Sequence, residues 1–406
     1  MTSTRLHRIL FVDDEPMVLR GLERSLSEQT DVWDMTFVHR GEDALAFLDR
    51  ETCDVIVTDM LMPGMNGAQL LNEVVRSYPG VTRVVLSGHA DHDLVMQCVG
   101  TAHQYLSKPC EPALLISTIE RLLALQSMVQ SDPVRNLVAR LNRLPSRPDL
   151  YGKILAALAT PRTELAHIGM IVQEDIAMTA KLLKLVNSAF FGIGHSISTA
   201  NEAVQYLGVD ILKALVLSVH VFECCPHLEK AGLHSESMSR QATLTAAAAK
   251  AIAHTERWSP AAQEEAFTAG LLHNCGLLVL AENMPEQLAR VIELARAQSL
   301  PLGRFEQEVY GATHGQVGGY LLGLWGLPHP IVEAVALHTA GPPWSNPEPG
   351  PLAVVHAAHA LAGEHLRTIP GVPTSGLNLD YLRALGLDAR IPAWRDCVSD
   401  LAVAAR

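Results

Sequence analysis

The chain has no block of lysine and arginine, and its net charge is −12 over 406 residues. Binding to nucleic acid through a broad basic face is thereby disfavoured, because such binding depends on neutralising phosphates. No C-x-x-C pair occurs among the seven cysteines, and Cys224 and Cys225 are adjacent. Scattered thiols of this kind fit small core residues in a reducing compartment, not a disulfide framework. No run reaches the roughly 20 apolar residues that span a bilayer. The most apolar stretch, Ile211 to Cys225, is broken by Lys213, His220 and Glu223. The N-terminal apolar run Ile9 to Val12 stops at Asp13-Asp14-Glu15, too short for a signal peptide. A cytoplasmic protein without membrane insertion is expected.

What is present is the balance of an ordered globular protein, 48% hydrophobic and 18% charged. The length exceeds what one core organises and predicts two or three domains. Over the first 125 residues, short apolar runs alternate with amphipathic ones. Leu6–Val12, Val32–Val38, Asp54–Thr58, Arg83–Leu86 and Gln104–Leu106 read as strands. Helices are expected near Val18–Leu26, Glu42–Leu48, Gly67–Ser77 and His92–Val99, with a fifth starting at Pro112. The alternation predicts a doubly wound, five-stranded parallel sheet covered by helices, with active groups at the carboxyl ends of its strands.

Leu115, Ile119, Leu122 and Val129 form a heptad-like stripe on the fifth helix, interrupted by Gln126. Packing on its own domain is favoured over a coiled coil. Residues 126–148 read as a helical and extended linker, with Pro133 as a break and Leu144-Pro145-Ser146-Arg147-Pro148 as an extended connection. Beyond it the periodicity is helical almost throughout. Ile176, Ala180, Leu183 and Val186 share one face, and Val204, Leu207, Ile211 and Leu215 another. Alanine-rich stretches 242–253 and 353–362 predict tightly packed helices, and proline-rich 341–351 a loop. An all-helical domain over 149–370 with a helical extension over 371–406 follows.

Five groups stand at successive strand ends of the first domain. Asp13 and Asp14 follow the first strand, Asp59 ends the third, Ser87 the fourth, and Lys108 follows the fifth. Taken singly, an aspartate after a strand is a turn former or helix cap. Together, clustered carboxylates repel one another unless they hold a hard divalent cation such as Mg²⁺. One of them can attack phosphorus to form an acyl phosphate, while the cation and the Lys108 ammonium neutralise the phosphoryl oxygens.

These residues resemble the receiver domains of two-component response regulators over essentially all of 5–125. The resemblance rests on Asp13-Asp14-Glu15, on Asp59 within Thr-Asp-Met-Leu-Met-Pro-Gly-Met-Asn-Gly, on Ser87 in Leu-Ser-Gly-His-Ala-Asp, and on Lys108-Pro109. It implies a flavodoxin-like fold and Asp59 as the acceptor of phosphate from a histidine kinase. It also implies Mg²⁺ on Asp14, Asp59 and the Leu61 backbone carbonyl, with Asp13 acting mainly through water. Ser87 would bind the phosphoryl oxygen, Tyr105 would be the switch aromatic, and the Lys108-Pro109 bond would be cis.

The later chain holds His273-Asn274 in Gly-Leu-Leu-His-Asn-Cys-Gly-Leu-Leu, His314 in Gly-Ala-Thr-His-Gly-Gln-Val-Gly, and His338 in Ala-Leu-His-Thr. Histidines from separate helices can form a metal site, but a hydrolase needs a carboxylate where Asn274 stands. The region resembles the HDOD family, relatives of the HD phosphohydrolases, over roughly 134–370. The carrying segments are Gln173 to Gly192, Ala203-Val204 to Leu207-Gly208, Ala269 to His273, and Gly318 to Pro328 with Trp325-Gly326-Leu327-Pro328. Against the catalytic pattern, the first histidine is replaced near Arg240, the His-Asp pair is His273-Asn274, and Leu277 stands for a lysine. The Gly-Tyr-Pro segment of the cyclic di-GMP hydrolysing branch is absent after His338. His273, Asn274, His314 and His338 are therefore read as a degenerate site without metal or catalysis. Core hydrogen bonding is favoured for these histidines over a residual metal or anion site.

A non-enzymatic, phosphorylation-controlled signalling protein is expected, with a kinase, downstream signalling proteins and a second copy of itself as partners. A cyclic dinucleotide receptor or a weak metal-dependent phosphodiesterase is the alternative. DNA is not an expected partner, since no basic helix-turn-helix pattern occurs.

Overall fold

The computed structural model describes residues 6–87, 101–141, 153–154, 157, 165–187, 196–208, 227–340 and 349–404. The chain forms two compact units, one centred on residues 1–142 and the other on the chain beyond. In the first unit, β1 (His7–Val12), β2 (Trp33–Val38), β3 (Val55–Asp59), β4 (Thr82–Ser87) and β5 (Gln104–Ser107) pair in the order β2-β1-β3-β4-β5. All four pairings are parallel. This is the doubly wound order of flavodoxin-like sheets.

Both faces of such a sheet are covered, so its central strands are continuous apolar runs. Ile9, Leu10, Phe11 and Val12 are all buried, as are Val55, Ile56 and Val57. Helices α1 (Pro16–Ser25), α2 (Gly41–Leu48), α3 (Gly67–Ser77) and α4 (Pro112–Met128) supply the cover. The expected helix at His92–Val99 lies outside the described residues, as does the Ser87 side chain. Helix α3 starts where Asn66 and Gln69 cap one another reciprocally, at 2.9 and 3.1 Å.

Leu115, Ile119, Leu122 and Val129 are all buried. Gln126 donates to the Asp54 carbonyl (3.2 Å) and the Thr82 hydroxyl (2.9 Å). Over 126–141 the chain is largely helical, as expected of that segment. Helix α4 runs to Met128, and Pro133 sits in the first turn of a further helix, α5 (Asp132–Arg140), where proline is tolerated. The buried Arg83 guanidinium and the His103 ring both bind the Ala139 carbonyl, fastening α5 to this unit.

The second unit is helical. It comprises α6 (Leu165–Gln173), α7 (Ile176–Val186), a helical stretch at 200–208, α8 (Ser235–Thr255), α9 (Pro260–Leu272), α10 (Cys275–Asn283), α11 (Pro285–Gln298), α12 (Leu302–Tyr310), α13 (His314–Leu324), α14 (His329–Leu337), α15 (Pro351–His365), α16 (Leu379–Ala384) and α17 (Ile391–Ala404). Ile176, Ala180, Leu183 and Val186 are buried as their spacing requires, as are Val204 and Leu207; Ile211 and Leu215 lie outside the described residues. The alanine-rich segments form α8 and α15, whose small side chains let backbones approach closely. A Cβ on Gly270 of α9 would meet Ala246 Cα at 2.8 Å. The helical extension expected over 371–406 includes the 14-residue α17. Its Trp394 is fully buried and donates to Glu256 at 2.8 Å.

Candidate functional site

Strand register brings the acidic groups together. Val12 pairs with Thr58, so Asp13 emerges beside Asp59, and Ser87 pairs with Ser107, one residue before Lys108. The Lys108 ammonium reaches both carboxylates, Asp13 at 2.7 Å and Asp59 in a shorter contact. Both acids are buried, at 2% and 7% exposure, so their charges meet this cation with little help from solvent. Asp13 also accepts from the Glu15 amide at 2.9 Å, and Asp59 from the Leu61 amide at 3.0 Å. Asp14, next along, is half-buried.

Burial raises the Asp59 pKa, against the lowering effect of Lys108. For Lys108, burial alone would lower the pKa, but the bonds to Asp13 and Asp59 outweigh it and raise it. One ammonium between two buried carboxylates leaves negative charge uncompensated, a donor set that suits a hard divalent cation. The Lys108-Pro109 peptide is cis. Tyr105 is buried in the core cluster that includes Met60, Met62 and Ala102. Glycine is required behind the acceptor, because a Cβ on Gly67 would fall 2.2 Å from the Asp59 carbonyl oxygen.

In the helical unit, His273 and His338 cap the C-termini of α9 and α14, and His314 opens α13. Sequence reasoning missed a fourth ring, His359 of α15, which lies 5.0 Å from His273 and 4.7 Å from His338 between centroids. His273 and His338 are 4.9 Å apart, and His314 and His338 5.3 Å. Burial pushes the His273 pKa down to about 3 and those of His338 and His359 well below the ordinary value, so these rings are neutral. The signal for His359 was a pair of histidines, 356 and 359, inside an otherwise apolar helix. His356 is a satisfied core histidine: it donates to the His338 carbonyl (2.7 Å) and accepts from the Asn378 amide (2.8 Å).

Asn274 donates instead to Gln241 (3.0 Å) and Thr368 (3.2 Å). Near the expected replacement, two adjacent residues point in opposite directions. Arg240 is exposed, whereas Gln241, rotated about 100° around the helix, is buried against Asn274.

Comparison with known proteins places two domain types in this order. A profile described as the response regulator receiver domain matches residues 9–120, and one described as the HDOD domain matches 144–340. An uncharacterised protein of Treponema pallidum (strain Nichols) is 27% identical over 225 residues, 54% of this chain and 43% of that protein. The response regulator UvrY of Escherichia coli (strain K12) is 32% identical over 127 residues, 30% of this chain and 57% of UvrY. The chain thus spans about half the length of these curated relatives. Among solved structures, the MmoQ response regulator of Methylococcus capsulatus strain Bath is similar at 22% identity and a TM-score of 0.49, over 62% of this chain and 98% of that one. No helix among the described residues is long and apolar enough to cross a membrane.

Proposed function

We propose that this chain, in which a receiver domain is followed by an HDOD domain, is a response regulator whose phosphorylation on Asp59 by a histidine kinase controls an HDOD output that works through protein contacts. The observation that carries this reading is the Lys108 ammonium bridging Asp13 and Asp59 at the carboxyl rim of the sheet. An Asp59 carboxylate oxygen attacks phosphorus, the bond from phosphorus to the donor imidazole breaks, and the imidazole leaves. Asp13, Asp14, Asp59 and the Leu61 carbonyl would hold Mg²⁺, which when bound neutralises charge on the transferring oxygens. Lys108 supplies a second positive charge to those oxygens, and Ser87 a hydroxyl donor. Tyr105 follows Ser87 as the switch, and the altered receiver surface exposes or hides a binding face, on a downstream protein or a second copy.

Acetyl phosphate with Mg²⁺ tests the reading: the wild type gains one phosphoryl mass and Asp59→Ala gains none. A wild-type chain that stays unmodified where other receivers are labelled overturns it. The alternative, cleavage of a cyclic dinucleotide in the HDOD domain, lacks its carboxylate, since Asn274 is engaged with Gln241 and Thr368.

A further inference from the structure

The histidine cluster of the helical unit is a set of lone pairs without partners. His273 Nδ1 donates to the Gly270 carbonyl at 2.6 Å and His338 Nδ1 to the Val335 carbonyl at 2.8 Å. A carbonyl only accepts, so Nδ1 carries the proton in each ring and Nε2 keeps its lone pair. Both Nε2 atoms are buried with no hydrogen-bond partner, and so are His359 Nδ1 and His314 Nε2. A buried ring nitrogen left unpaired calls for an explanation in an absent water or ion. Four of them converging from α9, α13, α14 and α15 call for a shared one.

We infer that the HDOD core binds one divalent d-block ion of the zinc class through His273 Nε2, His338 Nε2 and His359 Nδ1, with His314 alongside. One ring nitrogen from each of the first three lies within 4.8 Å of the others. Ligand nitrogens of tetrahedral zinc sit about 3.3 Å apart, given Zn–N bonds of about 2.05 Å. Coordination thus requires the rings to draw together by about 1.5 Å at most. Bound imidazoles characteristically give their other N–H to a carbonyl or carboxylate. His273 and His338 do so to carbonyls, and His314 does so to Glu306.

The donor set selects the ion. Neutral nitrogens without thiolate or carboxylate suit zinc, cobalt, nickel or copper rather than magnesium or calcium. A cavity of about 40 Å³ bordered by Asn274, His314, Thr339, His359 and Thr368 adjoins the rings. A water needs only about 10–15 Å³ of such space, so a solvent ligand can complete the coordination. Loss of the carboxylate at Asn274 removes one kind of metal chemistry from this domain and leaves an all-imidazole site. The ion would tie four helices together, and its binding would be linked to the domain's folding.

The test uses the full chain carrying Asp13→Asn and Asp59→Asn, which removes the acidic receiver site as a competing cation binder. After chelator treatment, titration with Co²⁺ should give one equivalent bound per chain, with the visible absorption of a tetrahedral nitrogen-ligated ion, reversed by Zn²⁺. Introducing His338→Gln or His359→Gln should abolish the band while helical circular dichroism is retained. The same single changes with an intact receiver should leave Asp59 phosphorylation unaltered. If the folded parent binds no Co²⁺, or binds it with the spectrum of an octahedral oxygen-ligated ion, the inference fails. Should the variants not fold, the parent titration decides alone. Metal binding that persists unchanged in both folded variants also overturns it.

Discussion

Glu306 lies fully buried beneath His314, and its carboxylate accepts from that residue twice, from the backbone amide at 3.0 Å and from ring Nδ1 at 2.7 Å. Two donors depend on one side chain. Glu306→Ala strands both, at about 1–3 kcal/mol for each unsatisfied group. Glu306→Gln keeps one acceptor oxygen and should lose less. Urea unfolding of the two variants checks the order, and equal midpoints would contradict it.

Gly67→Ala forces a Cβ onto the Asp59 carbonyl, 2.2 Å away. Backbone must move, and overpacking of this kind costs about 1–3 kcal/mol. The displaced atoms belong to the acceptor residue itself. We expect a less stable receiver and slower phosphorylation of Asp59, measured by denaturant melts and by the rate of mass gain from acetyl phosphate.

Arg83 is buried and spends its guanidinium on carbonyls, among them Thr101 at 2.5 Å, Val81 at 3.1 Å and Ala139. Ala139 belongs to the last turn of α5, where carbonyls lack helical partners. Arg83→Met should therefore loosen α5 selectively. Amide exchange across 132–140 is expected to speed up, while exchange in β1 and β3 changes less.

Acid should unfold the helical domain early. Burial holds the pKa of His273 near 3, and those of His338 and His359 well below 6.5, the ordinary value. Between 6.5 and 3 the unfolded chain takes up protons that the folded chain refuses. Stability is full above 6.5 and is lost as pH falls below it. Helical circular dichroism of the chelator-treated chain, followed from pH 7 to 4, checks this; a flat trace contradicts it.

The parallel sheet and its acidic rim were legible because they depend on local patterns. Buried strands are continuous apolar runs, and residues ending successive parallel strands must converge. Asp13, Asp59 and Lys108 meet for that reason. The helical half yielded its apolar faces but not its polar partnerships, which join residues far apart in sequence. Glu306 reads as one more acid in an amphipathic helix until α12 is seen against His314. His359 reads as an incidental residue in an alanine-rich helix until α15 is placed beside α9 and α14. Gln241 and Arg240 are separated by one position in sequence but by inside and outside in the fold. The anchorage of α5 was not legible because its partner, Arg83, lies 56 residues from Ala139.

His356 touches the histidine cluster from behind, holding the His338 carbonyl with one ring nitrogen and the Asn378 amide with the other. Asn378 in turn donates to the Ala340 carbonyl, and the chain past it ends in the helix that buries Trp394. Trimming the protein at residue 370 would thus cut a brace that runs from the tail to the wall of the imidazole chamber. Residues 372–375 border the same chamber, and the segment past them is joined to the His338 and Ala340 carbonyls through the His356 ring and the Asn378 side chain.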